Sequence, residues 1–294
     1  MSLERVGVVG CGLMGSGIAQ VAAVAGYSVT VHDVGDAALA KGRKGIEASL
    51  AKFVEKQQLS PEARDAALGR IRFTTALDDL QESDLVIEAV SEDAALKERV
   101  WQALDRLCPA KTVFASNTSS LSIIGMARVT GRAERFLGLH FFNPVPLMPL
   151  VEVIRTVATT QETVEWALDF VRRLGKEPVQ ARDSAGFIVN LLLIPYLLDA
   201  VRAVERGVAT THDIDQGMKL GCGHPMGPLT LLDFVGLDTS LRVGEILYEE
   251  FREARYAPPP LLKRMVQAGW LGKKSGKGFY DYAVTPATPS ELGI

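Results

Sequence analysis

Short apolar runs alternate with amphipathic stretches along the first 180 residues. Residues 5–9 form a compact apolar run that predicts a buried strand, and residues 14–25 continue with helical spacing. Residues 27–32 are rich in β-branched and aromatic side chains, which favour a second strand. A strand, a helix and a strand within about thirty residues form a βαβ unit, which requires parallel strands. The pattern predicts an α/β fold on a parallel sheet.

The same alternation continues to about residue 174. We predict strands at 71–75, 85–90, 112–115, 136–142 and 151–154, and helices at 94–107 and 163–174. A polar helical stretch at 36–58 is followed by a shorter one at 60–69, which begins with Ser60 and Pro61, a good N-cap and a proline at the first helical position. These two stretches predict a helical hairpin inserted between strands.

Beyond residue 186 the strand signals fade and helical spacing dominates. Helices are expected at 187–206, 213–220, 229–235, 239–251 and 261–267. We expect the linker at 183–186, with an α/β domain at 1–183 and an all-α domain at 184–294. The second domain is more apolar than roughly 100 residues can bury alone, which predicts a homodimer through its helices.

Composition narrows the class of protein. Apolar residues make up 47% of the chain and the net charge is −3, with basic residues scattered, so no nucleic-acid partner is expected. The apolar runs fall short of the ~20 residues that a membrane span needs. Cys11, Cys108 and Cys222 lie far apart, which predicts neither disulfides nor a metal site and fits a reducing cytoplasm.

A glycine motif joins the first predicted strand to the first predicted helix. Residues 10–15 read GCGLMG, in which Gly10 would make a tight turn, Gly12 would admit a pyrophosphate and Gly15 would allow close helix packing. The helix N-terminus would supply N–H groups to that pyrophosphate. Asp33, at the end of the second strand, would bind the adenosine ribose and repel a 2′-phosphate. We therefore expect a Rossmann-type domain that binds NAD rather than NADP.

A dehydrogenase also needs a base, and histidine titrates in the right range. His32 lies inside a predicted strand, His212 begins a helix and His224 lies in a loop, whereas His140 ends a strand in the half that carries the glycine motif. Ligands of open parallel sheets gather at the carboxyl ends of strands. From the residues alone, His140 is either this base or a hydrogen-bonded core histidine.

Seven motifs follow one another along residues 6–282. They are GCGLMG at 10–15, IEAV at 87–90, SNTSSL at 116–121, HFFNP at 140–144, GFIVN at 186–190, PMGP at 225–228 and GKKSGKGFY at 272–280. In this order they closely resemble the L-3-hydroxyacyl-CoA dehydrogenase family, above all its stand-alone bacterial branch that acts on 3-hydroxybutyryl-CoA. The resemblance implies reversible oxidation by NAD of the 3-hydroxyl of a short- to medium-chain acyl-CoA. It also implies a homodimer.

The resemblance implies roles for particular residues. His140 would be the general acid and base, oriented by Glu152, and Ser119 and Asn190 would hydrogen-bond the substrate oxygen. Contacts with NAD are implied for Gly10, Gly12, Leu13, Met14, Gly15, Asp33, Ala89, Glu92, Lys97, Asn117, Ser119, Asn143 and Lys274. Contacts with the acyl-CoA are implied for Ser49, Lys56, Ser119 and Asn190.

Several of these positions also have an ordinary structural explanation. Glu152 can form a salt bridge at a sheet edge, and Ser119 can cap a helix. Glu92 and Lys97 can be solvated helix charges, Lys274 a surface lysine, and Ser49 and Lys56 can lie on a solvated helix face.

The chain departs from the family pattern at two places. Many relatives have lysine where this chain has Pro149, and the loop Cys222-Gly223-His224 replaces small residues. Two other functions stay open: a dehydrogenase of a small free hydroxy acid, or a nucleotide-binding relative without catalysis.

Overall fold

The structure is a computed structural model that describes residues 4–293. The chain divides into two compact units, and the boundary falls between Phe187 and Ile188. The domain limits proposed from the sequence, 1–183 and 184–294, stay a prediction.

The first unit is built on one eight-stranded sheet. Its strands are β1 (Arg5–Val9), β2 (Ser28–His32), β3 (Ile71–Thr74), β4 (Leu85–Glu88), β5 (Val113–Ser116), β6 (Phe136–Phe141), β7 (Leu150–Arg155) and β8 (Glu177–Arg182). The order across the sheet is β3-β2-β1-β4-β5-β6-β7-β8. The direction of winding reverses between β1 and β4, and the crevice at such a point is where open α/β sheets bind ligands.

Helices connect these strands. They are α1 (Leu13–Val24), α2 (Asp36–Glu55), α3 (Pro61–Gly69), α4 (Ala94–Leu107), α5 (Ile123–Ala127) and α6 (Gln161–Arg173). The expected hairpin inserted between β2 and β3 is formed by α2 and α3. The hydroxyl of Ser60 accepts a hydrogen bond from the Ala63 amide at 3.1 Å and so caps α3, as the sequence indicated.

Alternate side chains of the strands divide the core of this unit into two layers. On β4, Leu85 and Ile87 join a cluster with residues of α1, α2 and α6, whereas Val86 faces a second cluster beneath α4 and α5. Successive strand residues point to opposite faces, so helices are needed on both sides of the sheet. In the second layer Trp101 packs edge-on to Phe136, with ring centroids 4.7 Å apart. The predicted α/β fold is confirmed.

Two features of the sheet differ from the expected all-parallel arrangement. Strands β6 and β7 are antiparallel, because the loop at 142–149 is too short for the crossover that parallel neighbours need. Strand β8 was not predicted. It lies at the sheet edge, and half of its residues face solvent, so its sequence EPVQAR carries no apolar run.

The second unit is mainly helical, as expected. Its helices are α7 (Val189–Glu205), α8 (Thr211–Cys222), α9 (Pro228–Val235), α10 (Leu237–Phe251) and α11 (Pro260–Gln267), followed by the antiparallel pair β9 (Tyr280–Asp281) and β10 (Thr288–Pro289). Within residues 4–293, no helix has both the length and the apolar character needed to cross a bilayer.

Candidate active site

The glycine motif forms the turn between β1 and α1. A Cβ at Gly10, which has φ +98°, would lie 2.6 Å from the carbonyl oxygen of Ala89, and one at Gly15 would lie 1.8 Å from that of Gly10. These two glycines are required by the fold itself. A Cβ at Gly12 would meet nothing within 4 Å. Open space beside a helix N-terminus suits a pyrophosphate, so this turn fits a dinucleotide.

Asp33 follows β2 and supports the same turn. Its Oδ2 accepts a hydrogen bond from the Cys11 amide at 2.8 Å, a contact that the sequence did not reveal. Burial, with the charge of Asp33, raises the pKa of the Cys11 thiol to about 11, so this thiol stays protonated. Leu13 and Met14 begin α1, and Leu13 is exposed beside the open space at Gly12.

A buried ion pair lies at the carboxyl end of β4. Lys97 is 1% exposed, and its Nζ lies 2.5 Å from Glu88 Oε1 and 3.3 Å from Glu92 Oε2. Glu88 also accepts hydrogen bonds from Ser116 Oγ at 2.7 Å and from the Val90 amide at 2.8 Å. The interpretation of Lys97 as a solvated helix charge is therefore wrong, because the helix turns this side chain into the sheet.

Glu92 holds the segment that follows β5 through several hydrogen bonds. It accepts hydrogen bonds from the Thr118 hydroxyl, the Ser119 amide at 3.0 Å and the Ser120 hydroxyl at 3.1 Å. Burial alone would raise the pKa of Glu92, but the charge of Lys97 and these hydrogen bonds outweigh it and leave that pKa below its usual value. The result is an ionised carboxylate that fixes the loop carrying Ser119.

The structure also settles one alternative for this loop. Helix α5 begins at Ile123 and is capped by Ser122, so the interpretation of Ser119 as a helix cap is wrong. Asn117 accepts a hydrogen bond from the Phe141 amide at 2.9 Å through its side-chain oxygen. This bond joins the loop after β5 to the strand that carries His140.

His140 and Glu152 face each other across β6 and β7. The antiparallel register pairs the two residues directly, and His140 Nδ1 lies 2.6 Å from Glu152 Oε2. Glu152 is 0% exposed on an interior strand, which contradicts the interpretation as a sheet-edge salt bridge. A carboxylate at Nδ1 selects the tautomer with its proton there, which leaves Nε2 to exchange a proton with a substrate. The ring centroids of Phe142 and Phe187 lie 4.5 and 5.6 Å from that of the imidazole. These rings shield the imidazole from water, and His140 is buried.

A pocket of about 280 Å³ lies beside α2. Ser49 and Lys56, the two residues matched to coenzyme A contacts, both line it, together with Lys52 and Phe53 from the same helix. The opposite wall comes from the loop at 142–149, which also contains Asn143. Two ammonium groups next to an aromatic ring suit a ligand that carries phosphates and a base.

Two predicted site residues belong to the second unit. Asn190 is half-buried in the first turn of α7. Lys274 lies near the tip of the segment at 272–282, where its Nζ is 2.6 Å from Asp238 Oδ1. Their proposed contacts with substrate and cofactor stay predictions.

Two buried aspartates that hold this segment were not predicted from the sequence. Asp215 accepts a hydrogen bond from the Tyr280 hydroxyl at 2.9 Å, and Asp233 accepts from the amides of Phe279 and Tyr280 at 2.8 and 2.9 Å. Burial raises the pKa of Asp233 to about 6, against the opposing effect of those amides. Glu88 was noted only as part of the motif at 87–90 and was given no role, although an acid within an apolar strand is a signal that a partner is needed.

Comparison with known proteins agrees with this geometry. Residues 5–184 match the family described as 3-hydroxyacyl-CoA dehydrogenase, NAD binding domain, and residues 186–282 match its C-terminal domain. The chain belongs to the 3-hydroxyacyl-CoA dehydrogenase family. It is thus an NAD-dependent oxidoreductase of that family, and the expected fold, enzyme class and cofactor are confirmed.

Full-length relatives of this dehydrogenase are known from bacteria and mammals. The 3-hydroxybutyryl-CoA dehydrogenase of Mycobacterium tuberculosis is 50% identical over 96% of this chain and 99% of its own. The mitochondrial hydroxyacyl-coenzyme A dehydrogenase of Sus scrofa is 47% identical over 95% and 91%. The crystal structure of (S)-3-hydroxybutyryl-CoA dehydrogenase from Ralstonia eutropha superposes with a TM-score of 0.93 at 46% identity, over 96% and 99%.

Proposed function

We propose that this protein interconverts short- to medium-chain L-3-hydroxyacyl-CoA, above all 3-hydroxybutyryl-CoA, and the 3-ketoacyl-CoA with NAD and NADH. The observation that carries the proposal is the buried His140–Glu152 pair, whose 2.6 Å hydrogen bond prepares an imidazole for proton transfer. The His140–Glu152 pair lies in the same unit as a turn that fits a dinucleotide and a pocket that suits a nucleotide thioester. The names of the relatives support the same substrate class.

His140 handles the proton in this mechanism. In the oxidative direction Nε2 takes the proton of the 3-hydroxyl, while the electron pair of the breaking C3–H bond leaves as hydride. Nδ1–H stays bonded to Glu152, so the positive charge that forms on the ring is met by a buried carboxylate. In the reductive direction the same nitrogen returns the proton to the alkoxide.

NAD supplies the hydride acceptor when it is bound. We assign its pyrophosphate to the open space at Gly12 and its ribose to Asp33, with further contacts at Ala89, Glu92, Asn117, Asn143 and Lys274. Ser119 and Asn190 would hydrogen-bond the substrate oxygen as negative charge develops there. Because Lys97 is buried, its part in cofactor binding would be to hold the carboxylates of Glu88 and Glu92.

The pocket at α2 would receive the coenzyme A part of the substrate. Lys56 and Ser49 line it, and Lys52 adds a second ammonium group. Pro149 stands where many relatives carry a lysine, and the positive charge in this pocket would come from Lys52 and Lys56.

The first experiment is to follow NADH consumption with acetoacetyl-CoA, with NADPH and free acetoacetate as parallel substrates. We expect rapid turnover with NADH and the thioester only. NADPH preference would refute the role of Asp33 and spare the mechanism. Turnover of free acetoacetate alone would establish the free-acid dehydrogenase instead. NADH binding without turnover of either substrate would refute the proposed substrate class.

The variant His140→Gln tests the mechanism itself. It should bind NADH with unchanged affinity, measured by the change in cofactor fluorescence, and lose turnover by several powers of ten. A rate near that of the wild type would refute the assignment of the base.

We also propose that the protein is a homodimer that works in the cytoplasm. Apolar side chains of the helical unit are exposed in the single chain, including Leu192 on α7, Leu220 on α8 and Phe234 on α9. Their burial against a second copy would remove this surface from water. Light scattering should give twice the mass of one chain, and a monomer in dilute solution would refute the dimer. Cell fractionation tests the compartment.

A further inference from the structure

The loop at 142–149 connects the two parts of the proposed site. It leaves β6 just after His140 and enters β7 just before Glu152, so its shape influences how the two strands meet. Its residues Pro144, Pro146 and Leu147 form the wall of the pocket opposite α2. A single loop therefore borders the proposed coenzyme A pocket and joins the strands of the His–Glu pair.

A buried lysine holds the backbone of this loop. Lys176, which precedes β8, is only 8% exposed, and its Nζ donates hydrogen bonds to the carbonyl oxygens of Val145 and Met148, both at 2.6 Å. The next amide along, that of Glu177, donates to the Pro149 carbonyl at 2.8 Å. The turn also closes on itself, because the amides of Leu147 and Met148 donate to the Pro144 carbonyl.

Burial of the Lys176 ammonium group costs free energy, and its hydrogen bonds hold it in one position. An ammonium group loses hydration when it is buried, and burial lowers the pKa of Lys176. Hydrogen bonds to two carbonyls that are three residues apart compensate for part of that loss and fix the curvature of the loop between them. A side chain that only filled space at this position would need no charge.

The loop is also seated firmly on α1. A Cβ on Gly17 would lie 2.8 Å from the Cβ of Val145, so the small residue lets the loop approach the helix that follows the glycine turn. Val145 is buried there in the larger core cluster. Lys176 bonds the carbonyl of this anchored residue on one side and that of Met148, beside the pocket wall, on the other.

We propose that Lys176 is a positioning residue that holds the loop at 142–149 and thereby sets the affinity for the coenzyme A part of the substrate. The inference rests on the proposed function. Lys176 itself touches the loop backbone rather than the substrate. Its loss would loosen the wall formed by Pro144, Pro146 and Leu147 and weaken binding of the thioester.

The test compares Lys176→Met with Lys176→Arg, using exposed Lys111→Met as the matched control. Two substrates are needed: acetoacetyl-CoA and the acetoacetyl thioester of N-acetylcysteamine, which lacks the nucleotide. For Lys176→Met we expect KM for acetoacetyl-CoA to rise at least tenfold, with kcat and KM for NADH within threefold and KM for the truncated thioester nearly unchanged. Lys176→Arg keeps the charge and should recover part of the affinity.

Two results would overturn the proposal. One is an unchanged KM for acetoacetyl-CoA in folded Lys176→Met. The other is an equal loss of kcat with both thioesters, which would mean that the loop acts on the His–Glu pair instead. If Lys176→Met does not fold, Pro146→Gly loosens the same loop without removing a buried charge. It should raise the same KM, and an unchanged value would count against the loop.

Wild-type turnover separates this inference from the proposed function. An inactive wild type would refute the proposed function, whereas an active wild type with insensitive variants would refute only the role of Lys176. Calorimetric titration with coenzyme A compares the affinities of the wild type and Lys176→Met without turnover. We expect the dissociation constant of coenzyme A to be tenfold higher in the variant. Equal constants would overturn the proposed role of Lys176.

Discussion

The substitution Glu152→Gln removes one charge from the buried pair and changes little else in volume. The glutamine oxygen can still accept the hydrogen bond from His140 Nδ1, which is 2.6 Å from the carboxylate in the wild type. What disappears is the negative charge that meets the imidazolium formed when Nε2 takes the substrate proton. The variant therefore isolates the electrostatic contribution of Glu152 to the transition state.

The size of this contribution follows from the distance and the burial. Opposite charges centred about 4 Å apart interact by about 4 kcal/mol at an effective dielectric constant of about 20. A hydrogen bond to a charged group contributes about 1.5–3 kcal/mol to stability. Taking about 3 kcal/mol as the loss, and about 1.4 kcal/mol for each factor of ten in rate, gives a fall in kcat of about two orders of magnitude.

The assay is steady-state oxidation of 3-hydroxybutyryl-CoA, with Glu165→Gln as the control because Glu165 is exposed on α6. Glu152→Gln should lose about a hundredfold in kcat and bind NADH as the wild type does, and the control should be unaffected. A kcat within fivefold of the wild type would refute the electrostatic argument. A parallel loss of NADH affinity would show instead that the substitution disturbs the sheet.

Three further predictions follow from particular contacts. Gly12→Ala should keep the melting temperature of the wild type and lose at least tenfold in NADH affinity. Gly15→Ala, whose Cβ would lie 1.8 Å from a carbonyl oxygen, should melt at least 5 °C lower. The reverse order would contradict the assignment of the pyrophosphate to Gly12. Lys97→Met leaves the buried Glu88 and the half-buried Glu92 without their cation and should lower the free energy of unfolding by about 3–5 kcal/mol in urea titrations. A loss below about 1 kcal/mol would count against the pair. The pKa of Asp233 is raised in the fold to about 6, so its stabilising effect is present at low pH and lost as pH rises through 6. Relative to Asp233→Asn, the wild type should lose about 1 kcal/mol of stability between pH 5 and pH 7.5, and a constant difference would refute this.

Local sequence patterns were sufficient to predict an element wherever a single stretch of chain determines its structure. The run at 5–9, the glycines of the turn and the β-branched residues at 27–32 predicted the β1-α1-β2 unit, because the buried face of each element appears directly in its residue spacing. The helices of the second unit were predicted within a few residues of their ends for the same reason. Strand β8 was missed because a half-exposed edge strand needs no apolar run.

The candidate site was harder to predict from the sequence, because its contacts join residues that are distant in sequence. His140 and Glu152 are separate signals in the sequence, and only the antiparallel register of β6 and β7 places them opposite each other. Lys97 looked like a surface charge, yet the packing of α4 on the sheet turns it into a buried ion pair. Lys176 follows a glycine at a helix end, where nothing local indicates that its ammonium group binds a loop some thirty residues earlier in the chain.

The sequence by itself thus determined the fold class, the dinucleotide turn and the family, since spacing and composition encode local structure and short motifs. Tertiary structure decided which charges are buried and which partners they meet. The physical reason is that burial and long-range register depend on how all eight strands and their helices pack together, which no single segment specifies. Lys97 and Lys176 are lysines like many others in the chain until the fold encloses them.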